Sequence, residues 1–223
     1  MIAYPPDPNL IPGQSGTGSA PSSGEAVTVV PAGNSTVLFL CTGNAARSVM
    51  AECIMAQLRP DILSVSAGTL AMEGAPLGSR TRHALSTIGM EIPQTHRSHE
   101  LNAEDVRNAD LIVAMEEDHV NNVRVRYPSG SPKTATLRWL ARNLPTGLDL
   151  TPPRIGSLQL DCLDLSLQGD VADPAEATPP PYPTVAERLE WERKVYVDCA
   201  IEIFDLLSEL AQLIARPSDR LVS

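Results

Sequence analysis

Cys41 and Arg47, six positions apart in the segment Val37 to Glu52 (VLFLCTGNAARSVMAE), are the residues of this chain best suited to chemistry. A thiolate is a strong nucleophile, and a guanidinium presents a planar fork that grips two oxygens of a phosphate, which lysine cannot do. The residues between them, Thr42, Gly43, Asn44, Ala45 and Ala46, are small enough for the loop to curl until its backbone N–H groups converge on one point. A helix starting near Arg47 and Ser48 adds the partial positive charge of its N-terminus. The predicted result is a cradle for a phosphate-sized dianion, with sulfur at its centre. The same field favours the thiolate: a free cysteine titrates at about 8.5 and falls several units beside a helix N-terminus and a cation.

The spacing alone is a weak signal, because a cysteine followed six positions later by an arginine arises by chance in about a fifth of chains with this many cysteines. Its setting gives it weight. Val37 to Leu40 form an apolar strand-like run, Gly43 and Asn44 suit positive φ, and Ser48 places a hydroxyl where it can hydrogen-bond the thiolate. Met50, Ile54 and Leu58 then repeat at helical spacing, so the pair sits between a predicted strand and a predicted helix.

Alternating elements must hold this loop in place. The pattern predicts a strand at 37–41, a helix at 47–58 closed by Pro60, a strand at 63–67, and a helix near 79–88 closed by Gly89. A helix at 103–108 with Asn102 as N-cap precedes a strand at 111–115, a helix near 117–125 ends before Pro128, and a fourth strand falls around 133–137. Such alternation implies an α/β fold, a four-stranded parallel sheet with helices on both faces, whose ligands bind beyond the carboxyl ends of the strands at a topological switch point. Cys41 sits at such an end. The last helix is the clearest element: Thr184 and Glu187 make a capping box, and Val185, Leu189, Cys199, Ile203, Leu206, Leu210 and Leu213 share one stripe. Cys199 is therefore expected in the core, and Cys53, on the helix after the loop, as a small apolar residue; Cys162 has no assigned place.

The loop resembles the active-site loop of the low-molecular-weight protein tyrosine phosphatases and of the related thiol-dependent arsenate reductases. The likeness continues through Ser66-Ala67-Gly68-Thr69, His96-Arg97-Ser98, Ala109 to Met115 and Asp170-Val171-Ala172-Asp173-Pro174, in the family's order, over roughly residues 36 to 214. Two positions depart from it: Ala46 stands where the phosphatases usually carry a second loop cysteine, and Val49 where a proline usually follows the Arg-Ser pair. The resemblance implies the Rossmann-like phosphotyrosine protein phosphatase I fold. It also implies a general acid at Asp173, with Asp170 supporting the site. Chemistry asks for such an acid, since an alkoxide or phenolate leaves slowly unless it is protonated as the P–O bond breaks. A later loop at the same sheet edge can supply it: Pro174 fixes the backbone just after Asp173, and Asp170 is the runner-up.

Composition agrees with a single folded domain of modest size. The chain has 223 residues, 43% of them hydrophobic, enough for one ordinary core, and no apolar stretch of membrane-spanning length. Residues 1–35 contain no Lys or Arg and are dense in Pro, Gly and Ser, so they read as a disordered tail without a signal peptide, although Ala26 to Val30 could add an edge strand. The phosphatase domain is expected over 36–215, with an enlarged loop about 141–169 and a short tail at 216–223. The four cysteines lack zinc spacing and fit a reducing, cytoplasmic setting. A net charge of −10 disfavours nucleic acid and anionic membranes as partners, yet it leaves an anion cradle free to work, because surface charge is screened over about 8 Å.

The expectation is a cysteine-dependent phosphomonoesterase acting on a phosphotyrosine protein or a small aryl phosphate, with no cofactor and no metal. Cys41 is the nucleophile, Arg47 and Thr42 to Ala46 with Ser48 bind phosphate, and Asp173 is the acid. An arsenate reductase using a small-molecule thiol and a non-catalytic phosphate-recognition module are the alternatives. After Asp173-Pro174 stand Ala175, Glu176 and prolines 179–181 in place of the family's aromatic pair; the nearest aromatic in sequence is Tyr182. Pro179 to Pro183 read as a stiff wall or as a linker. His96, Arg97 and His99 are assigned no chemistry, His83 and His119 are expected on solvated helix surfaces, and Glu116-Glu117-Asp118 is read as a favourable helix start.

Overall fold

Val37, Leu38, Phe39 and Leu40 are all buried, so the strand they form is apolar on both faces, as a central parallel strand must be. The computed structural model describes residues 35–92, 94–150, 155, 158–181 and 183–216. The expectations for the N-terminal tail, the Ala26 to Val30 strand, Tyr182 and the end beyond 216 lie outside these residues. The order is β1 (Thr36–Cys41), α1 (Arg47–Leu58), β2 (Leu63–Gly68), α2 (Ser79–Thr87), α3 (Ala103–Asn108), β3 (Leu111–Ala114), α4 (Glu117–Arg126), β4 (Thr134–Thr136), α5 (Leu137–Asn143) and α6 (Val185–Leu213). All strand pairs are parallel and the sheet order is β2-β1-β3-β4. The α/β expectation holds.

Successive side chains of a strand point to opposite faces, and here the two faces feed different clusters. Val37, Phe39 and Cys41 join the larger one with Met50 and Ile54 of α1, Leu137 of α5 and Ile203, Leu207 and Leu210 of α6. Leu38, Leu40 and Ile112 meet Val106 of α3 and Val123 of α4 on the other face. The chain passes from β1 out to β2 and back across β1 to β3, so the topological switch lies between β1 and β3. Cys41 ends β1 on one side of that crevice; Met115 and Glu116 follow β3 on the other.

The helix ends follow their chemistry. Asn102 caps α3, its side chain accepting from the amides of Glu104 and Asp105, and Thr184 caps α6 in a capping box with Glu187. Arg59, just past α1, is buried and donates to the carbonyls of Ala211, Ile214 and Ala215, satisfying the carbonyl end of α6. The stripe of α6 is buried at Cys199, Ile203, Leu206 and Leu210, but Val185 is 79% and Leu189 49% exposed. At a rise of ~1.5 Å per residue, the helix is longer than the sheet it covers, so its first turns project past the core. Within the 141–169 stretch, α5 runs on to Asn143, and 3₁₀ turns occupy Leu160–Cys162 and Leu165–Leu167. Cys199 is core, as expected, and Cys162 is exposed.

Candidate active site

The loop from Cys41 to Ser48 is held from behind by side-chain hydrogen bonds. Asn44, fully buried, takes the left-handed conformation at φ 48°. Its Nδ2 donates to Ser48 Oγ (3.1 Å) and Ser66 Oγ (2.8 Å), and its Oδ1 accepts from the amide of His99 (2.8 Å). Because Ser48 Oγ accepts from Asn44, its own hydrogen is free for Cys41 Sγ, 3.0 Å away. A hydroxyl hydrogen turned to sulfur is a bond that a thiolate accepts. Asn44 O takes Ser98 Oγ (2.9 Å) and His96 Nε2 (3.1 Å), and Ala45 O takes Thr81 Oγ1 (2.8 Å). Gly68 closes the back: a Cβ there would stand 2.6 Å from Thr42 O and 2.9 Å from Asn44 N, so only glycine lets β2 approach the loop.

These bonds use the loop's carbonyls and leave its amides. Met50 is the first residue of α1 whose N–H reaches a backbone carbonyl, Ala46 O at 2.8 Å. Among the described residues, no acceptor meets the N–H groups of Gly43 to Val49. A run of free amides ending in a helix N-terminus is an anion site by construction.

The second side of the site is acidic. Arg47 is 1% exposed; its Nη1 donates to Glu116 Oε1 and to Val171 O (2.9 Å), and its Nη2 to Asp173 Oδ2 (2.5 Å). Burial works to lower its pKa, but the bond to Glu116 and the charges of Asp173, Glu116 and Cys41 outweigh burial and raise it. The segment carrying Asp173 is pinned to the sheet edge. Gln168 bonds both the amide and the hydroxyl of Thr136, Asp170 accepts the amide of Glu117, and Val171 N donates to Met115 O. Asp173 Oδ1 accepts the amide of Ala175, which fixes the carboxylate beside the proline.

His119 corrects the expectation of a solvated histidine. It is 2% exposed, and burial first, then the charge of Arg47, push its pKa down to about 4. The neutral ring accepts the amide of Glu116 at Nδ1 (3.1 Å), so Nε2 carries the proton and donates to Thr42 Oγ1 (3.1 Å). His119 thus ties the loop to the start of α4. Glu116 and His119 were missed in sequence because their role depends on β3 lying beside β1. The available signal was their place directly after a predicted strand end, where ligands of such sheets bind.

Cys41, Gly43, Ala45, Ala46, Arg47 and Asp173 line one cavity of about 330 Å³. Thr42, Asn44 and Ser48 do not line it: Thr42 is tied to His119, and Asn44 and Ser48 are buried behind the loop. Gly78 to Thr81, Ala175 and Tyr196 complete the walls. Among the described residues no group of His, Cys, Asp and Glu side chains has the arrangement of a metal site.

Comparison with known proteins agrees with this geometry. The sequence profile of the low molecular weight phosphotyrosine protein phosphatases matches residues 36–159, over half of the chain. A low molecular weight protein-tyrosine-phosphatase, Ptp, of Acinetobacter johnsonii is 32% identical over 110 residues, which cover 49% of this chain and 77% of the relative. A protein-arginine-phosphatase of Geobacillus stearothermophilus is 31% identical over 125 residues, covering 56% and 82%. Among solved structures, a low molecular weight protein tyrosine phosphatase from T. tengcongensis superposes with a TM-score of 0.59 at 28% identity, over 79% of this chain and 97% of that one. The YwlE arginine phosphatase from Geobacillus stearothermophilus gives 0.59 at 26%, over 79% and 90%. The chain belongs to the low molecular weight protein tyrosine phosphatase family and is a cysteine-dependent phosphatase. The profile match includes the Cys41 loop and stops before Asp173, which geometry alone brings to the cavity.

Proposed function

We propose that this phosphatase acts on phosphotyrosine in proteins, or on a small aryl phosphate, through a cysteinyl-phosphate. Cys41 Sγ attacks phosphorus in line while Arg47 and the loop amides hold the equatorial oxygens. As the S–P bond forms and the P–O bond breaks, Asp173 gives its proton to the leaving oxygen. Water then attacks phosphorus, Asp173 takes a proton from it, and the S–P bond breaks to release phosphate and the thiolate. The observation that carries this reading is the placement of Cys41, Arg47 and Asp173 on the wall of one cavity. Without substrate, Asp173 holds Nη2 of Arg47. An arriving phosphate competes for that fork and frees the carboxyl group for the leaving oxygen.

The relatives include both tyrosine and arginine phosphatases by name. Tyr196 at the cavity favours the first substrate, because an aromatic side chain suits a phenyl ring. An arsenate reductase with an internal thiol relay is poorly supported, since burial pushes both Cys53 and Cys199 up to about 12 and keeps them as thiols. The four free cysteines suit a reducing setting, proposed to be the cytoplasm. Among the described residues no helix is long and apolar enough to cross a membrane.

The test measures phosphate released from phosphotyrosine, phosphoserine and phosphoarginine, beside arsenite formed from arsenate and thiol. The expected result is fastest hydrolysis of phosphotyrosine, abolished in Cys41→Ser. Binding of phosphotyrosine without turnover would make the chain a recognition module, and arsenite as the main product would make it a reductase.

A further inference from the structure

The cavity wall away from the loop comes from elements that the family-like landmarks do not include. Tyr196, in the middle of α6, lines it together with Gly78 to Thr81 at the start of α2. Among the described residues that follow Asp173 and precede α6, Ala175 lines the cavity.

We propose that Tyr196 is the specificity-determining wall of this site, its ring covering the phenyl group of an aryl phosphate held by the Cys41 loop. The inference rests on the phosphatase reading of the same cavity and adds the group that chooses the substrate. Tyr196 is half-buried and packs against the main core where α6 crosses α1 and α2. One turn earlier, Glu192 holds Arg80 of α2 through two bonds of 2.9 and 2.6 Å, and Arg80 in turn faces the Tyr196 hydroxyl. The ring therefore sits where two packed helices meet. A rigid aromatic surface binds a flat partner with little ordering cost. Burial pushes the phenol above its ordinary value, against the pull of Arg80, so Tyr196 stays neutral and does not repel a dianion. Placement on a helix two turns before the buried Ile203 also makes the wall stiffer than a loop could be.

Calorimetric binding of phenylphosphonate and methylphosphonate to the full chain tests this without requiring turnover. The unmutated protein should bind the phenyl compound at least about tenfold more tightly. Tyr196→Ala should bring the two within about twofold by weakening only phenylphosphonate, and Tyr196→Phe should keep the preference. An unchanged preference in Tyr196→Ala overturns the proposal. So does equal weakening of both ligands, which would make Tyr196 a support of the cradle. A phenyl preference that depends on Tyr196 in a chain that hydrolyses no phosphotyrosine would sink the phosphatase reading and leave the wall standing. Turnover without that preference would do the reverse.

Discussion

The two sides of the cavity are built by opposite means. The cradle is one continuous stretch, Cys41 to Ser48, whose carbonyls and side chains are bonded from behind by Asn44, Ser66, Thr81, Ser98 and His99. The acidic side joins Glu116 after β3 to Asp173 from a segment more than fifty residues later, and ionic contact with Arg47 is what unites them. Neutral, buried hydrogen bonds define the first side; charges with partial access to water define the second. A cradle must present its amides before an anion arrives, so it is satisfied internally. In the proposed role of acid and base, Asp173 must exchange protons with substrate and water, so its contact with Arg47 must be replaceable.

Arg47 belongs to both sides, and changing it should have the largest effect. Arg47→Lys keeps the charge and loses the fork, and kcat for an aryl phosphate should fall on the order of a hundredfold to a thousandfold. A fall below tenfold in steady-state assays would mean that the amides alone hold the phosphate. Asp173→Asn strikes only the acidic side. It should slow hydrolysis of phenyl phosphate by about a hundredfold and of a nitrophenyl ester, whose leaving group needs less protonation, far less. Equal slowing of both esters would remove Asp173 from proton transfer.

The joint between the sides can be read through pH. His119 titrates near 4 when folded, below its ordinary 6.5, so between those values the unfolded chain binds more protons. Its contribution is fully present above 6.5 and is lost as pH falls towards 4. The gap of about 2.5 units, at 1.36 kcal/mol each, amounts to about 3 kcal/mol. Denaturant titrations at pH 7 and pH 4.5 should show the unmutated chain losing more stability than His119→Gln; parallel losses would mean that the buried imidazole is not responsible. The smallest change probes the cradle's back. Gly68→Ala meets loop backbone on two sides and should cost about 1–3 kcal/mol in chemical denaturation, with reduced phosphate affinity. Unchanged stability and affinity would show that the loop shifts freely.

Much of this was legible beforehand, and the reason is periodicity. The strand-loop-helix order around Cys41, the four strands, the Asn102 cap of α3 and the capping box of α6 are local patterns, and they appear within a residue or two of their expected bounds. The exposure of Val185 and Leu189 was not legible, because a helical stripe says which residues share a face and not how far the partner surface extends. His119 was misplaced for a similar reason: a polar residue on a short helix is usually solvated, unless an arginine and a loop hydroxyl from distant segments enclose it.

By itself, then, the sequence singled out Cys41, Arg47 and the small-residue loop from residue type and near neighbours, and the family resemblance added Asp173 as the proposed acid. Only the tertiary structure decided that Glu116 and His119 meet that loop and that Tyr196 lines the same cavity. Those choices depend on β3 lying next to β1 and on α6 crossing α2, and strand order and helix crossing are set by packing of the whole core.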